Sequence, residues 1–170
     1  LAHARNLEKQ KKVYRGKMDF KVDWYGDGYV RAKVYYRNLS KVILKGEEDI
    51  YFGDPIITEK LKLKAYGEMD IVFADIRVEK FKAKLYGEND LDFAKGAIGL
   101  QKYKLFGENT IDADQVSGAC VRATNYGENI LESNSEVIHF TVFGEMDVSC
   151  SRSADIKKGI VLGEYSVNRW

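Results

Sequence analysis

The 170-residue chain has one proline, two cysteines and two histidines, and its 27 basic and 26 acidic residues leave a net charge of only +1. Each shortage excludes something. A near-zero charge gives no reason to expect nucleic acid or an anionic membrane as partner. No apolar run approaches the roughly 20 residues of a membrane-spanning helix, so insertion is not expected. Cys120 and Cys150 are too few for a disulfide framework. They also sit at different phases of the repeat described below, so a bond between them is not expected and both read as small hydrophobes. Apolar spacing of three and four is nowhere sustained, which excludes a helical protein. His3 falls near a chain end and His139 in a row of basic residues, where it stands in for lysine. The sequence contains no Gly-x-Ser-x-Gly, no His-Glu-x-x-His, no phosphate-binding glycine loop and no Cys-x-x-Cys.

What is present is glycine at a nearly fixed interval. Gly26, Gly46, Gly67, Gly87, Gly107, Gly127, Gly144 and Gly163 are separated by 20, 21, 20, 20, 20, 17 and 19 residues. A phrase recurs around them: Tyr66-Gly67-Glu68-Met69-Asp70-Ile71, Tyr86-Gly87-Glu88-Asn89-Asp90-Leu91 and Phe106-Gly107-Glu108-Asn109-Thr110-Ile111. A period near 20 with strand-like flanks marks a stacked, quasi-one-dimensional protein.

With the glycine as zero, apolar residues fill positions −6, −4 and −2 and polar ones −5 and −3, as in Leu61-Lys62-Leu63-Lys64-Ala65. Beyond the glycine, positions +4 and +6 are apolar again, as in Ile71 and Phe73 or Leu91 and Phe93. Period-two alternation kept in phase across a bend is one bent strand pair per coil. The expected fold is all-β: a single-stranded, right-handed parallel β-helix of ~20-residue coils about 4.8 Å apart. Position +4 never turns polar: Val30, Ile50, Ile71, Leu91, Ile111, Leu131, Val148, Val167. Position −2 is apolar except for Asn125, which therefore needs a buried hydrogen-bond partner. Asn89, Asn109 and Asn129 share position +2, where stacked amides bond to one another. The glycine itself answers either a positive φ at the corner or a close backbone approach.

Residues 1–40 fit the period less well. They are read as an N-terminal β cap with the first irregular coil, and residues 41–170 as the repeats, all in one structural domain. Arg169-Trp170 is expected to close the other end. With both ends capped, the chain is expected to be a monomer.

Odd positions face outward and stack into columns. Lys62, Lys82 and Lys102 begin a basic one, continued by Arg122, His139 and Lys158, with Lys64, Lys84 and Lys104 beside it. Tyr66, Tyr86, Phe106, Tyr126 and Phe143 form an aromatic one. Glu47, Glu68, Glu88, Glu108, Glu128, Glu145 and Glu164 form an acidic one. Like charges one coil apart repel by about 0.9 kcal/mol in bulk water. Nearby lysines, backbone amides at the bend or solvent would relieve the acidic column; a row of divalent cations is the sharper alternative. The aromatic column either covers the bare glycine backbone of the adjacent strand or presents a strip for sugar rings or a partner protein. Carboxylates in columns meet at catalytic distances by necessity, and coils this short leave little length for a cleft, so no enzyme is expected.

The aromatic-Gly-Glu-(Met/Asn)-Asp-(Ile/Leu/Val) phrase, following a Leu-Lys-Leu-Lys-type strand, resembles the family called putative auto-transporter adhesin, head GIN domain. The similarity covers residues 40–167 and is strong at Lys45-Gly46-Glu47-Glu48-Asp49-Ile50 and Glu59-Lys60-Leu61-Lys62-Leu63. Glutamate stands where the family usually has serine, and methionine or asparagine where it has a second glycine. The resemblance implies a bacterial β-helix that is exported to the periplasm, envelope or cell surface, with an adhesin-like role and no established site residues. The opening Leu1-Ala2-His3-Ala4 carries the Ala-x-Ala triplet that signal peptidase reads, without an apolar segment before it. Together these readings predict a non-catalytic binding module without cofactor or metal, whose partner is a glycan or a cell-surface protein met by the aromatic, acidic and basic columns. The alternatives are a structural spacer without ligand and a polysaccharide-active enzyme.

Overall fold

The computed structural model describes residues 12–14, 17–19, 36 and 38–170. The chain forms two compact units, Leu1–Tyr35 and Tyr36–Trp170. In the first, strands β1 (Lys12–Tyr14) and β2 (Lys17–Asp19) make an antiparallel hairpin with Lys12 opposite Asp19. The expected cap and first irregular coil, with Gly26 and Val30, otherwise fall outside the described residues, as does the Ala-x-Ala triplet.

The second unit is a parallel β-solenoid of about six turns. Its strands are β3 (Lys41–Gly46), β4 (Ile50–Phe52), β5 (Ile56–Phe73), β6 (Ile76–Phe93), β7 (Gly96–Cys150) and β8 (Asp155–Arg169). β7 is long because the winding continues through corners without losing its ladder. The periodicity fixes the register. Ile56 pairs with Ile76, Gly67 with Gly87 and Phe73 with Phe93, and the offset of 20 continues from β6 into β7. β3 keeps the longer step, Gly46 pairing with Gly67. In the last coil a bulge lies between Phe140 and Val142, so His139 pairs with Lys157 and Phe140 with Lys158. Lys158 therefore leaves the basic column in which simple counting from Gly163 puts it. Its ammonium donates to the Tyr165 hydroxyl at 2.8 Å and lies 5.1 Å from that ring's centre.

Alternation sorts side chains as expected. Leu61, Leu63, Ala65, Ile71 and Phe73 of one coil, and their equivalents in the next, form a continuous core. Large and small residues alternate up the stack: Tyr103 fits between Ala83 and Ala123 at position −4. Phe52, Phe73 and Phe93 stack with centroids 4.5 and 5.4 Å apart, and Phe81 meets Phe93 edge-on at 5.3 Å. Ser133 Oγ is buried without a hydrogen-bond partner among the described residues, whereas other polar intrusions are bonded. Asn125 donates to the carbonyls of Gly127 and Glu145 at 3.0 and 2.7 Å. The Tyr103 hydroxyl donates to Gln101 Oε1 at 2.6 Å, and Gln101 Nε2 donates to Ser135 at 3.3 Å. Burial pushes the Tyr103 hydroxyl far above its ordinary pKa.

Cys120 and Cys150 are both free, the first half-buried and the second buried. The C-terminal closure differs from expectation. Arg169 Nη1 donates to the carbonyls of Arg152 and Ala154 at 2.9 and 3.0 Å and ties down the last turn. Trp170 instead continues the ladder, its N–H donating to the Cys150 carbonyl at 3.1 Å, and stays half exposed. The half-buried Val161 and Val167 show that the final layer is not sealed.

Candidate functional site: an acidic groove beside an aromatic ladder

Both expected reasons for the repeated glycine operate together. Gly107 has φ +101°, and a Cβ there would lie 2.4 Å from the Gly87 carbonyl oxygen. Only a residue without a side chain lets successive coils nest at this corner. The corner divides the outward surface into a basic sheet face before the glycine and an acidic region after it.

Just before the corner, Tyr66, Tyr86, Phe106, Tyr126 and Phe143 stack ring on ring. Their centroids are 4.8, 4.7, 4.9 and 5.0 Å apart and successive planes lie within 4° of parallel. Lys45 caps the first ring, 5.7 Å from the Tyr66 centroid. Each inner ring has both faces covered by its neighbours, so the column turns ring edges outward. Stacking on a sugar requires a free face, and this ladder spends its faces on itself.

After the corner, position +2 turns inward and forms the expected amide ladder. Asn89 Nδ2 donates to Asn109 Oδ1 at 3.0 Å, and Asn109 Nδ2 donates to Asn129 Oδ1 at 2.8 Å. Asn129 then donates to Asn125. Every amide passes its donor in the same direction, which leaves Asn89 Oδ1 without a donor where Met69 replaces asparagine.

Positions +1 and +3 flank this ladder from outside as the walls of a groove of about 750 Å³. One wall is Glu68, Glu88, Glu108, Glu128, Glu145 and Glu164; the other is Asp49, Asp70, Asp90, Thr110, Ile130, Asp147 and Ser166. Six glutamates and four aspartates line it, and among the described residues no lysine, arginine or histidine does. Sequence reasoning found the glutamate wall but did not see that the aspartate positions form a facing one. The inward turn of Met69, Asn89 and Asn109 between two outward residues was the available signal.

The expected relief of the acidic column by lysines is not what the geometry provides. Among the described residues, ion pairs within 4.0 Å join Glu59 to Lys60, Asp75 to Arg77 and Lys95, and Asp155 to Lys157. None involves a groove carboxylate, nor any of Lys62, Lys64, Lys82, Lys84, Lys102 and Lys104. The groove glutamates are exposed and shed their mutual repulsion into solvent. On the other face, packing on the sheet, followed by the charges of Lys84, Lys104, Lys62 and Lys102, holds the Lys82 ammonium below the ordinary lysine range.

A second acidic group lies farther along the coil. Carboxylate oxygens of Asp112, Asp114 and Glu132 come within 4.8 Å of one another. Asp112 Oδ1 accepts the Asp114 N–H at 3.2 Å. Partial burial, followed by the charge of Asp114, raises the Asp92 pKa; partial burial is also the main cause of the raised Asp112 pKa.

Among the described residues no helix is long and apolar enough to cross a membrane. The family model described as "Putative auto-transporter adhesin, head GIN domain" matches residues 6–157. The match reaches further toward the N-terminus than the repeated phrase alone suggests, and ends within the first residues of the last coil. No curated protein and no solved structure matches the chain. With a glycine corner on every coil and a family match over most of its length, the chain belongs to the auto-transporter adhesin, head GIN domain family.

Proposed function

We propose that this domain is a non-catalytic binding module of the bacterial cell envelope, and that its acidic groove receives an extended, positively charged chain. One observation carries the reading: carboxylates line both walls over successive coils, with no cation among the described residues between them. A partner with ammonium groups along its length, a cationic glycan or a lysine-rich protein segment, supplies the missing charge. Each contact at an exposed site is worth only a few tenths of a kcal/mol. Affinity comes from summing equivalent contacts on one rigid scaffold. In this reading the aromatic ladder stiffens the rim of the groove and adds edge contacts at Tyr86, Phe106 and Tyr126.

Adhesin-type membership supports an envelope location and a binding role. Both groove walls are built mainly of carboxylates at the regular spacing of the strands.

The test is titration with dodecalysine and with a chitosan oligomer, using the N-acetylated oligomer as the neutral control. Both cationic probes are expected to bind at low ionic strength, and the neutral one is not. The triple variant Glu88→Gln, Glu108→Gln, Glu128→Gln should weaken binding at least about tenfold while keeping the far-UV spectrum. Equal binding by the variant removes the groove as the site. No binding of either cationic probe at any salt concentration favours a spacer without ligand.

A further inference from the structure

The same coils that build the groove build its opposite. Lys62, Lys82 and Lys102 are exposed on the sheet face before the glycine corner, with Lys64, Lys84 and Lys104 two residues on. Ladder pairing joins Lys62 to Lys82 and Lys82 to Lys102, as it joins Glu68 to Glu88 and Glu88 to Glu108. Both rows therefore rise by one strand spacing per coil, about 4.8 Å. Equal pitch is a consequence of one backbone carrying both rows. It means that a row of ammoniums from one molecule stays in step with a row of carboxylates from another over several coils, in either direction along the axis.

Neither row is neutralised internally among the described residues. Packing on the sheet, followed by the charges of four neighbouring lysines, depresses the Lys82 ammonium on that face. A net charge of +1 means that two copies meet without long-range repulsion. Lysine suits the insertion, because its compact charge rides on a flexible four-carbon stem able to reach between two walls.

Resting on the groove as a receptor for an extended cation, we propose that a second copy of this chain is such a ligand, and that copies associate side by side with the lysine face of one in the acidic groove of the next. The two patches are different surfaces of one molecule, so the contact is heterologous. Each added copy leaves one groove and one face free, and growth continues unless the geometry closes a ring.

The experiment is sedimentation velocity of the whole chain at about 20 mM and about 300 mM salt. The wild type is expected to show a concentration-dependent rise in weight-average mass of twofold or more at low salt, lost at high salt. Two charge-neutralised proteins then divide the contact: Lys82→Gln, Lys84→Gln, Lys102→Gln, and Glu88→Gln, Glu108→Gln, Glu128→Gln. Each is expected to be monomeric alone, with an unchanged far-UV spectrum. The first keeps a groove and the second keeps a face, so an equimolar mixture should form a heterodimer and grow no further. A monomeric wild type at low salt overturns the proposal, as does association that persists in both variants. Dodecalysine titrated into the lysine-face variant separates the two readings. If it binds there while the wild type is monomeric, the second-copy proposal falls and the groove's function stands.

Discussion

The coils between Ile56 and Cys150 and the last coil, Asp155–Arg169, carry the same repeat and reach different degrees of burial. At position +4, Ile71, Leu91, Ile111 and Leu131 are at most 1% exposed, whereas Val167 is only half-buried. At position −1, Phe143 is half-buried and Leu162, next in the same column, is 64% exposed. Nothing in the local sequence separates the two groups. The middle coils have a neighbour on each side, and among the described residues β8 pairs only with β7. Burial here belongs to the stack, and stability is expected to reside largely in the interfaces between coils.

The strongest way to break the comparison is through the corner. Gly107 carries φ +101° and its added Cβ would meet the carbonyl oxygen of Gly87 at 2.4 Å. Gly46, in the first described coil, carries φ +144° and, among the described residues, has only the flexible Glu48 side chain near its added Cβ, at 3.9 Å. Gly46→Ala should cost the backbone strain alone, about 1–3 kcal/mol, and Gly107→Ala that strain plus a backbone collision, about 4 kcal/mol or more. Urea denaturation of the two variants measures the difference. Equal losses would mean that strain, and not nesting of the coils, explains the glycine.

A smaller effect sharpens the same contrast within the core. Leu91→Ala removes a side chain enclosed by Ile71 and Ile111 in its ladder, and is expected to cost about 3 kcal/mol. Val167→Ala, in a layer already open to water, should cost about 1 kcal/mol or less. Comparable losses at both sites would show that the last layer is covered in solution.

Most of the fold was legible in the sequence, and the limits have physical causes. Alternation around Gly67 and Gly87 fixed which side chains enter the core, because period two leaves each residue only two faces. Asn125 announced a buried polar contact because it broke an apolar column, and Asn89, Asn109 and Asn129 their ladder because the same amide recurred at a fixed phase. The groove was only half legible. Spacing placed Glu88 and Asp90 outward, but whether two outward residues diverge or face each other depends on backbone curvature at Asn89, which composition does not encode. The shared stacking of Tyr86, Phe106 and Tyr126 was hidden for the same reason: a column of rings reads alike whether faces or edges meet solvent. The displaced Lys158 follows from a bulge, a one-residue event that breaks any counting scheme.

The smallest effect concerns charge inside the stack. At position +5 the middle coils carry Asp92, Asp112 and Glu132, while the last carries the exposed Asn168. A coil on each side partly desolvates Asp112, and this burial is the main cause of its raised pKa. The folded state then holds more protons than the unfolded chain in the interval between the ordinary value of 3.8 and the raised one. Stability must therefore fall as pH rises through the folded pKa, and the penalty is fully present at neutral pH. Asp112→Asn keeps an oxygen for the Asp114 N–H and removes the charge, so it should stabilise the protein at pH 7 by a few tenths of a kcal/mol, screening having reduced the effect at this part-exposed site. The gain should shrink toward zero as the pH approaches about 4, where the native carboxyl is itself protonated. Urea midpoints for both proteins across that interval, with chelator present, decide the matter. A variant that is less stable at pH 7 would show that the Asp112 carboxylate is favourably solvated between its neighbouring coils, and that this position behaves like the open end of the stack.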